Sequence, residues 1–146
     1  MNKEQLAYAA GLFDGEGCVS INKVTAKGYK KPGFQLRASI SMTDERMMMQ
    51  FQEWFYGGCQ YRTRPRAKDY WMWVVVARGA RDFLTKVEPY LVIKKPQALV
   101  GIEFQNYRDN NQSQNKTQEY WDREFELYEQ IRRGNARWGT EYYQST

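Results

Sequence analysis

Residues 8–20 read YAAGLFDGEGCVS, and this stretch decides the fold. Residues 4–13 have the alanine content of a helix, and Asp14 to Gly17 is expected to break it. On that helix Ala7, Ala10, Gly11 and Asp14 fall on one side at steps of three and four. Small residues there admit another backbone at close range, so a partner helix is expected against them. Gly15 and Gly17 give the chain freedom for a sharp turn into a strand. Glu16 is thereby held at the mouth of the helix end, where that strand begins.

Working outward, Cys18 to Ala26 alternates like a strand, with Val19 and Ile21 on one face and Ser20 and Asn22 on the other. Lys27 to Gly33 reads as a basic turn. Phe34 to Met42 alternates again, with Phe34, Leu36, Ala38, Ile40 and Met42 inward and Gln35, Arg37, Ser39 and Ser41 outward. The pair predicts an antiparallel hairpin with one dry and one wet face. Thr43-Asp44-Glu45 then has the look of a helix N-terminus. Met47, Met48, Phe51, Trp54 and Phe55 form the apolar stripe of that helix, and Gly57-Gly58 ends it. A second hairpin is expected over Cys59–Lys68 and Asp69–Ala77. Helices are expected over Gly79–Tyr90 and Lys95–Tyr107, and a last one, capped by Thr117, through Ile131. The organisation is a single α+β domain over residues 1–131, followed by a basic, loosely ordered tail over 132–146 that includes Arg132, Arg133, Arg137 and Trp138.

Composition narrows the chemistry. The 146 residues are 42% apolar and 16% aromatic, with a formal charge of +5. That is enough chain for one core, with a basic excess that suits a polyanionic partner. Two cysteines, Cys18 and Cys59, are too few for a disulfide framework, and both read as reduced thiols. There is no histidine, which excludes Ser-His-Asp and Cys-His catalysis. An enzyme built from this chain must work with carboxylates, lysines and a metal ion. The start lacks the apolar core of a signal peptide and no stretch is long enough to span a membrane, so an intracellular protein without a membrane partner is expected.

The bases are clustered. On an extended strand Gln60, Arg62, Arg64, Arg66 and Lys68 would project from one face. A row of cations is either a solvated edge that deters aggregation or a surface for phosphates and guanine edges, to which arginine's planar fork is suited. Pro65 suggests that the regular strand ends near there, leaving Arg66 and Lys68 at the hairpin tip. The wet face of the first hairpin (Ser20, Asn22, Gln35, Arg37 and Ser41) adds amides and hydroxyls that can read base edges. Two such hairpins form a β-ribbon surface for a major groove. Trp71 and Trp73 either stack on single-stranded bases or belong to a core or interface. Near phosphate, the Glu16 carboxylate is an expected magnesium ligand.

Ala9-Ala10-Gly11-Leu12-Phe13-Asp14-Gly15-Glu16-Gly17 resembles the signature of the LAGLIDADG homing endonucleases, and the elements that follow match that family's αββαββα order. The resemblance implies a saddle-shaped antiparallel DNA-binding sheet carrying Ser20, Asn22, Gln35, Arg37, Ser41, Arg62, Arg64, Arg66 and Lys68. It implies that Glu16, in place of the common aspartate, binds Mg²⁺ with the adjoining Gly15, and that Mn²⁺ or Ca²⁺ can occupy the same site. Asp14 matches the acid that holds the helix end and the interface. Asp44 matches a polar residue that positions the attacking water, although Thr43 or Asp44 is equally a natural helix cap. Lys94 matches the active-site lysine, with Lys95 as its neighbour candidate. A single copy of the motif implies a homodimer, joined through Ala7, Ala10, Gly11 and Asp14, that cuts both strands of a long, nearly palindromic DNA target and takes no small-molecule substrate. Two other readings stand beside it: a non-cleaving module of the same fold serving as RNA maturase or transcriptional regulator, and a basic α/β domain with protein partners.

Overall fold

The first helix begins on a capping box. Asn2 accepts a hydrogen bond from the Gln5 amide at 2.8 Å, and the Gln5 side chain accepts from the Asn2 amide at 3.1 Å. This satisfies donors that every helix start leaves open. The computed structural model describes residues 1–25, 27, 28, 33–113 and 115–144, with 137–144 as backbone only. Tyr29 to Pro32 of the expected basic turn, Ala26, and the side chains of Arg137 and Trp138 thus lie outside the described residues. Helix α1 spans Lys3–Glu16, so the expected break at Asp14–Gly17 is corrected. One helical glycine costs only about 1 kcal/mol, and Asp14 is anchored from outside the helix, as described below. The stop falls at Gly17, which is extended (φ −87°, ψ 170°) and donates its amide to the Phe13 carbonyl. A Cβ at Gly17 would run into the Phe13 ring and stand 2.6 Å from the Phe13 carbonyl oxygen. Glycine is needed there for close packing, not for a left-handed turn.

Four antiparallel strands follow: β1 (Gly17–Val24), β2 (Gly33–Met42), β3 (Gly58–Arg62) and β4 (Tyr70–Val76), in the spatial order β1-β2-β4-β3. The register pairs Val19 with Ala38, Ile40 with Trp73 and Trp73 with Cys59, which puts the buried apolar positions of β1, β2 and β4 on one side, together with Cys59 of β3. Helix α2 (Glu45–Phe55) enters on Asp44, whose carboxylate accepts from the Met47 amide at 2.9 Å. It leaves through Tyr56 (φ 61°) and Gly57 (φ 86°). Helix α3 (Ala77–Val87) and a 3-10 turn (Glu88–Tyr90) lead into α4 (Lys95–Asn110), and α5 (Gln118–Gln144) closes the chain.

The core lies between the sheet and the helices. Val19, Ile21, Leu36, Ala38, Ile40, Trp73 and Val75 face Phe13, Met48, Phe51, Phe83, Leu84 and Phe104, all buried. Trp73 is fully buried, with Phe83 at 4.8 Å and Phe51 at 5.3 Å between ring centroids, and its indole N–H donates to the Tyr56 carbonyl at 2.6 Å. Trp71 shares this side and packs on Tyr61 at 5.2 Å. Both tryptophans therefore serve the packed side of the sheet, and base stacking by them is set aside.

The expected tail is corrected too. Thr117 caps α5 as predicted, accepting from the Tyr120 amide at 3.2 Å, but the helix runs straight through 131 and 132. Beyond that point Asn135 still donates to the Val19 carbonyl at 3.0 Å. No helix among the described residues is long and apolar enough to cross a membrane.

Gly17→Ala is expected to lower the stability of the fold by about 1–3 kcal/mol, the usual cost of overpacking, read as a fall in the urea midpoint. Gly15→Ala, whose added methyl meets nothing within 4 Å, is expected to leave the midpoint unchanged or raise it by up to about 1 kcal/mol.

Candidate active site and nucleic-acid interface

The pleat puts Ser20 and Asn22 of β1, and Gln35, Arg37, Ser39 and Ser41 of β2, on the side of the sheet away from the helices. Ser20 pairs with Arg37, and Arg37 with Val76; Asn22 pairs with Gln35; Ser41 pairs with Met72, and Met72 with Gln60. Arg62 shares this side and donates to the Gln60 side chain at 2.6 Å. Among the described residues no strand position on this face is an aspartate or glutamate. The face combines amides, hydroxyls and cations, a surface suited to phosphates and base edges.

The arginine row is only half as predicted. Strand β3 stops at Arg62, so Arg64, Arg66 and Lys68 sit in the connection to β4 and do not share one strand face. Arg64 folds back, donating to the Lys68 carbonyl at 3.2 Å with its guanidinium 4.4 Å over the Tyr70 ring. Pro65 explains the stop, since it has no amide to give a ladder. The fold-back carries Arg64 into a cleft of about 540 Å³ lined by Glu16, Ser41, Met42, Thr43, Arg64 and Tyr70. Tyr70, Met72 and Val74 were not among the predicted contact residues. Their strand reads as an unbroken apolar run, YWMWVVV, whose two sides separate only once its register is known.

Glu16 is the last residue of α1 and is exposed at the cleft. Two residues earlier, Asp14 is buried. Its Oδ2 accepts from the Val92 amide at 2.8 Å, and its Oδ1 accepts from the amides of Ile93 at 3.1 Å and Lys94 at 2.9 Å. Lys94 caps α4, so the carboxylate lies at the positive end of that helix. The Lys94 ammonium donates to the Asp14 carbonyl at 2.5 Å. Burial pushes Lys94 below the ordinary lysine range, against the opposing pull of the acids Asp14 and Glu16 and of the Cys18 thiol. Lys95 points elsewhere and pairs with Glu88 at 3.5 Å. Of the two lysine candidates, Lys94 is thus the one beside the acids.

Of the two readings of Asp44 the helix cap is the one seen, and the interface set is placed otherwise than expected. Asp44 uses its carboxylate as the cap of α2 and approaches Arg46 at 3.8 Å. It lines a neighbouring depression with Tyr8, Met47 and Trp54, while Thr43 lines the cleft of Glu16. In the interface set, Ala10 and Asp14 are buried inside the chain, and only Ala7 and Gly11 are exposed. The open side of α1 is instead Ala7, Tyr8, Gly11 and Gly15, and a Cβ at either glycine would meet nothing within 4 Å. Small residues mark close packing but do not say on which side.

The residues fit a hard divalent cation in part. Among the described residues no three acidic, histidine or cysteine side chains cluster as a complete metal site. Glu16 is the one acid lining the cleft, and the helix end around Gly15 adds carbonyl oxygens without helical partners. Carboxylate and carbonyl donors suit Mg²⁺, Mn²⁺ or Ca²⁺, and a single carboxylate leaves most of the coordination shell to other ligands.

Because burial lowers the folded-state pKa of Lys94 from 10.5, the unfolded chain binds more protons between the two values, and stability rises with pH across that window. Urea unfolding from about pH 8 to pH 11 is expected to show the wild type gaining stability relative to Lys94→Met as the pH rises, the difference between the two isolating Lys94 from the other groups that titrate there.

Known proteins match at two levels. Among solved structures, the homing endonuclease I-CvuI in complex with its target has a TM-score of 0.74 at 18% identity, covering 90% of this chain and 82% of that one. The archaeal intron-encoded homing endonuclease I-Vdi141I complexed with DNA has a TM-score of 0.73 at 17% identity, covering 90% and 84%. The homing endonuclease I-TnaI has a TM-score of 0.63 at 16% identity, covering 90% and 95%. At these identities the likeness is one of fold. No curated protein sequence matches significantly. Residues 9–95 match the profile described as LAGLIDADG endonuclease, a span that holds α1 from Ala9 onward, the whole sheet and Lys94, and the chain belongs to the LAGLIDADG endonuclease family.

Proposed function

We propose that this protein is a site-specific DNA endonuclease that uses a divalent cation, acts as a homodimer, and cuts both strands of a long, nearly palindromic duplex. The observation that carries this reading is the joining of Glu16 and Lys94 through Asp14 at one end of an acid-free polar sheet face. A protein that only bound nucleic acid would have no need to gather a carboxylate and a half-buried ammonium beside the phosphates. The same architecture in the DNA complexes of I-CvuI and I-Vdi141I supports placing the sheet in a groove.

Each part of the site then has a task. Ser20, Asn22, Gln35, Arg37, Ser41 and Arg62 hold base edges and phosphates, with Arg64, Arg66 and Lys68 reaching the backbone from the β3–β4 connection. Glu16 would hold the cation, which when bound supplies Lewis-acid activation of the phosphate and a lowered pKa for the attacking water. Asp14 fixes the helix end on which Glu16 sits. The Lys94 ammonium stabilises negative charge developing at the scissile phosphate. Asp44 follows Thr43 directly, just outside the cleft, and holds the start of α2 in place. Water adds to phosphorus as the bond to the leaving sugar oxygen breaks, and no side chain becomes covalently attached.

The dimer completes the site. Packing α1 against its copy along Ala7, Tyr8, Gly11 and Gly15 would bring a second Glu16 to the first and add its carboxylate to the donor set.

Two measurements check this. Wild type incubated with Mg²⁺ and a library of self-complementary duplexes is expected to cut a subset on both strands. Glu16→Gln should bind that subset with unchanged affinity and cut at least 100-fold more slowly, a loss of the order that follows removal of a metal-held reaction path. A wild type that binds tightly and cuts with no divalent ion is instead the non-cleaving module. For assembly, sedimentation is expected to give twice the 17.4 kDa chain mass. Gly11→Leu, at an exposed position where a Cβ meets nothing within 4 Å in one chain, should shift the mass to the monomer while the melting temperature of the fold is retained.

A further inference from the structure

The face assigned to DNA is not uniformly polar. β1 and β2 present amides and hydroxyls, and β3 presents Gln60 and Arg62. Between them β4 presents Met72, Val74 and Val76, in consecutive outward positions. Met72 and Val74 are half-buried, and Val76 is 39% exposed. Each lies in a row with groups that hydrogen-bond: Met72 with Ser41 and Gln60, Val74 with Ser39, and Val76 with Arg37. Arg37 leans across the row and donates to the Met72 thioether at 3.6 Å. An apolar row on a solvent-facing sheet costs solubility and forms no core here, because the core lies on the other side of the same strand at Trp73 and Val75.

We propose that Met72, Val74 and Val76 read thymine in the target by packing against the 5-methyl groups that this base projects into the major groove. The inference rests on the reading that this face lies in a DNA groove. The 5-methyl of thymine is the one apolar feature on the base edges of that groove in unmodified DNA. An apolar side chain gains by burying it, whereas opposite the edges of guanine, cytosine or adenine the same side chain strands polar groups without partners. Charge complementarity supports this occupant over an apolar protein segment, because the row is flanked by Arg37 and Arg62 on a face without acids. Outward positions on a strand are about 6.8 Å apart, close to two base-pair steps of about 3.4 Å. The row therefore addresses methyls spaced about two pairs apart in each half-site, outward from the cleft at Glu16.

The test begins with a duplex that the wild type selects from a random self-complementary library in Mg²⁺. Each of its thymines is then replaced by deoxyuracil, which deletes the methyl and nothing else, and kcat/KM is measured for each duplex. Uracil is expected to lower kcat/KM about fourfold per buried methyl, at one to three positions per half-site spaced about two pairs apart. Met72→Ala combined with Val74→Ala is expected to cut thymine and uracil duplexes equally at the positions those two residues read, leaving only the position read by Val76 sensitive, with the circular dichroism spectrum of the wild type. Equal rates on thymine and uracil duplexes with the unaltered protein overturn the inference, and that arm does not depend on any variant folding. A wild type that selects and cuts no duplex overturns the endonuclease reading itself, and this inference with it.

Discussion

One buried carboxylate organises the end of the molecule that holds the candidate site. Asp14 takes three backbone amides, from Val92, Ile93 and Lys94, while its own carbonyl takes the Lys94 ammonium. Each amide would be costly to leave unpaired in that position, on the order of 1–3 kcal/mol. The carboxylate also neutralises the positive end of α4. Through these bonds the end of the first helix is fixed to a segment about 80 residues further along the chain. Glu16 and Lys94 are thereby carried on elements fixed to each other within the single chain. Such preorganisation spares a catalyst the reorganisation it would otherwise undergo at the moment of reaction.

How much of this was legible depends on whether the deciding force was local. β1 and β2 could be read from the alternation of Val19-Ser20-Ile21-Asn22 and Leu36-Arg37-Ala38-Ser39, because each strand has one dry and one wet side. Asp44 and Thr117 could be read as caps because capping needs only the next three residues. β4 was legible as a strand but not as a two-faced one. Every residue from Trp71 to Val76 is apolar, and only pairing with β2 assigns Trp73 to the core and Met72 to the open side. The row from Arg62 to Lys68 was half legible, since Pro65 warned of the strand's end without showing that Arg64 folds back over Tyr70.

The helix end was misjudged for the same reason. Asp14-Gly15-Glu16-Gly17 looks like a breaker when only neighbours are counted. The anchor that keeps it helical arrives from residues 92–94, beyond the reach of any window on the sequence. The stripe Ala7-Ala10-Gly11-Asp14 was likewise rotated. Ala10 and Asp14 turn to the chain's own core and the glycines turn outward, because small residues mark a close approach without saying which of them makes it. Motif and spacing picked out the small residues of this helix. Their division between the interior and the open side of the helix had to come from three dimensions.

The bond from Asn135 to the carbonyl of Val19 spans 116 residues, and it has a consequence for synthesis. The first strand of the sheet receives this last contact only after nearly all of the described chain has left the ribosome. Folding of this kind, governed by pairings distant along the polypeptide, is slow to begin. A nascent protein stalled short of α5 would hold the complete motif helix and all four strands, yet lack the clasp that fastens the outermost one.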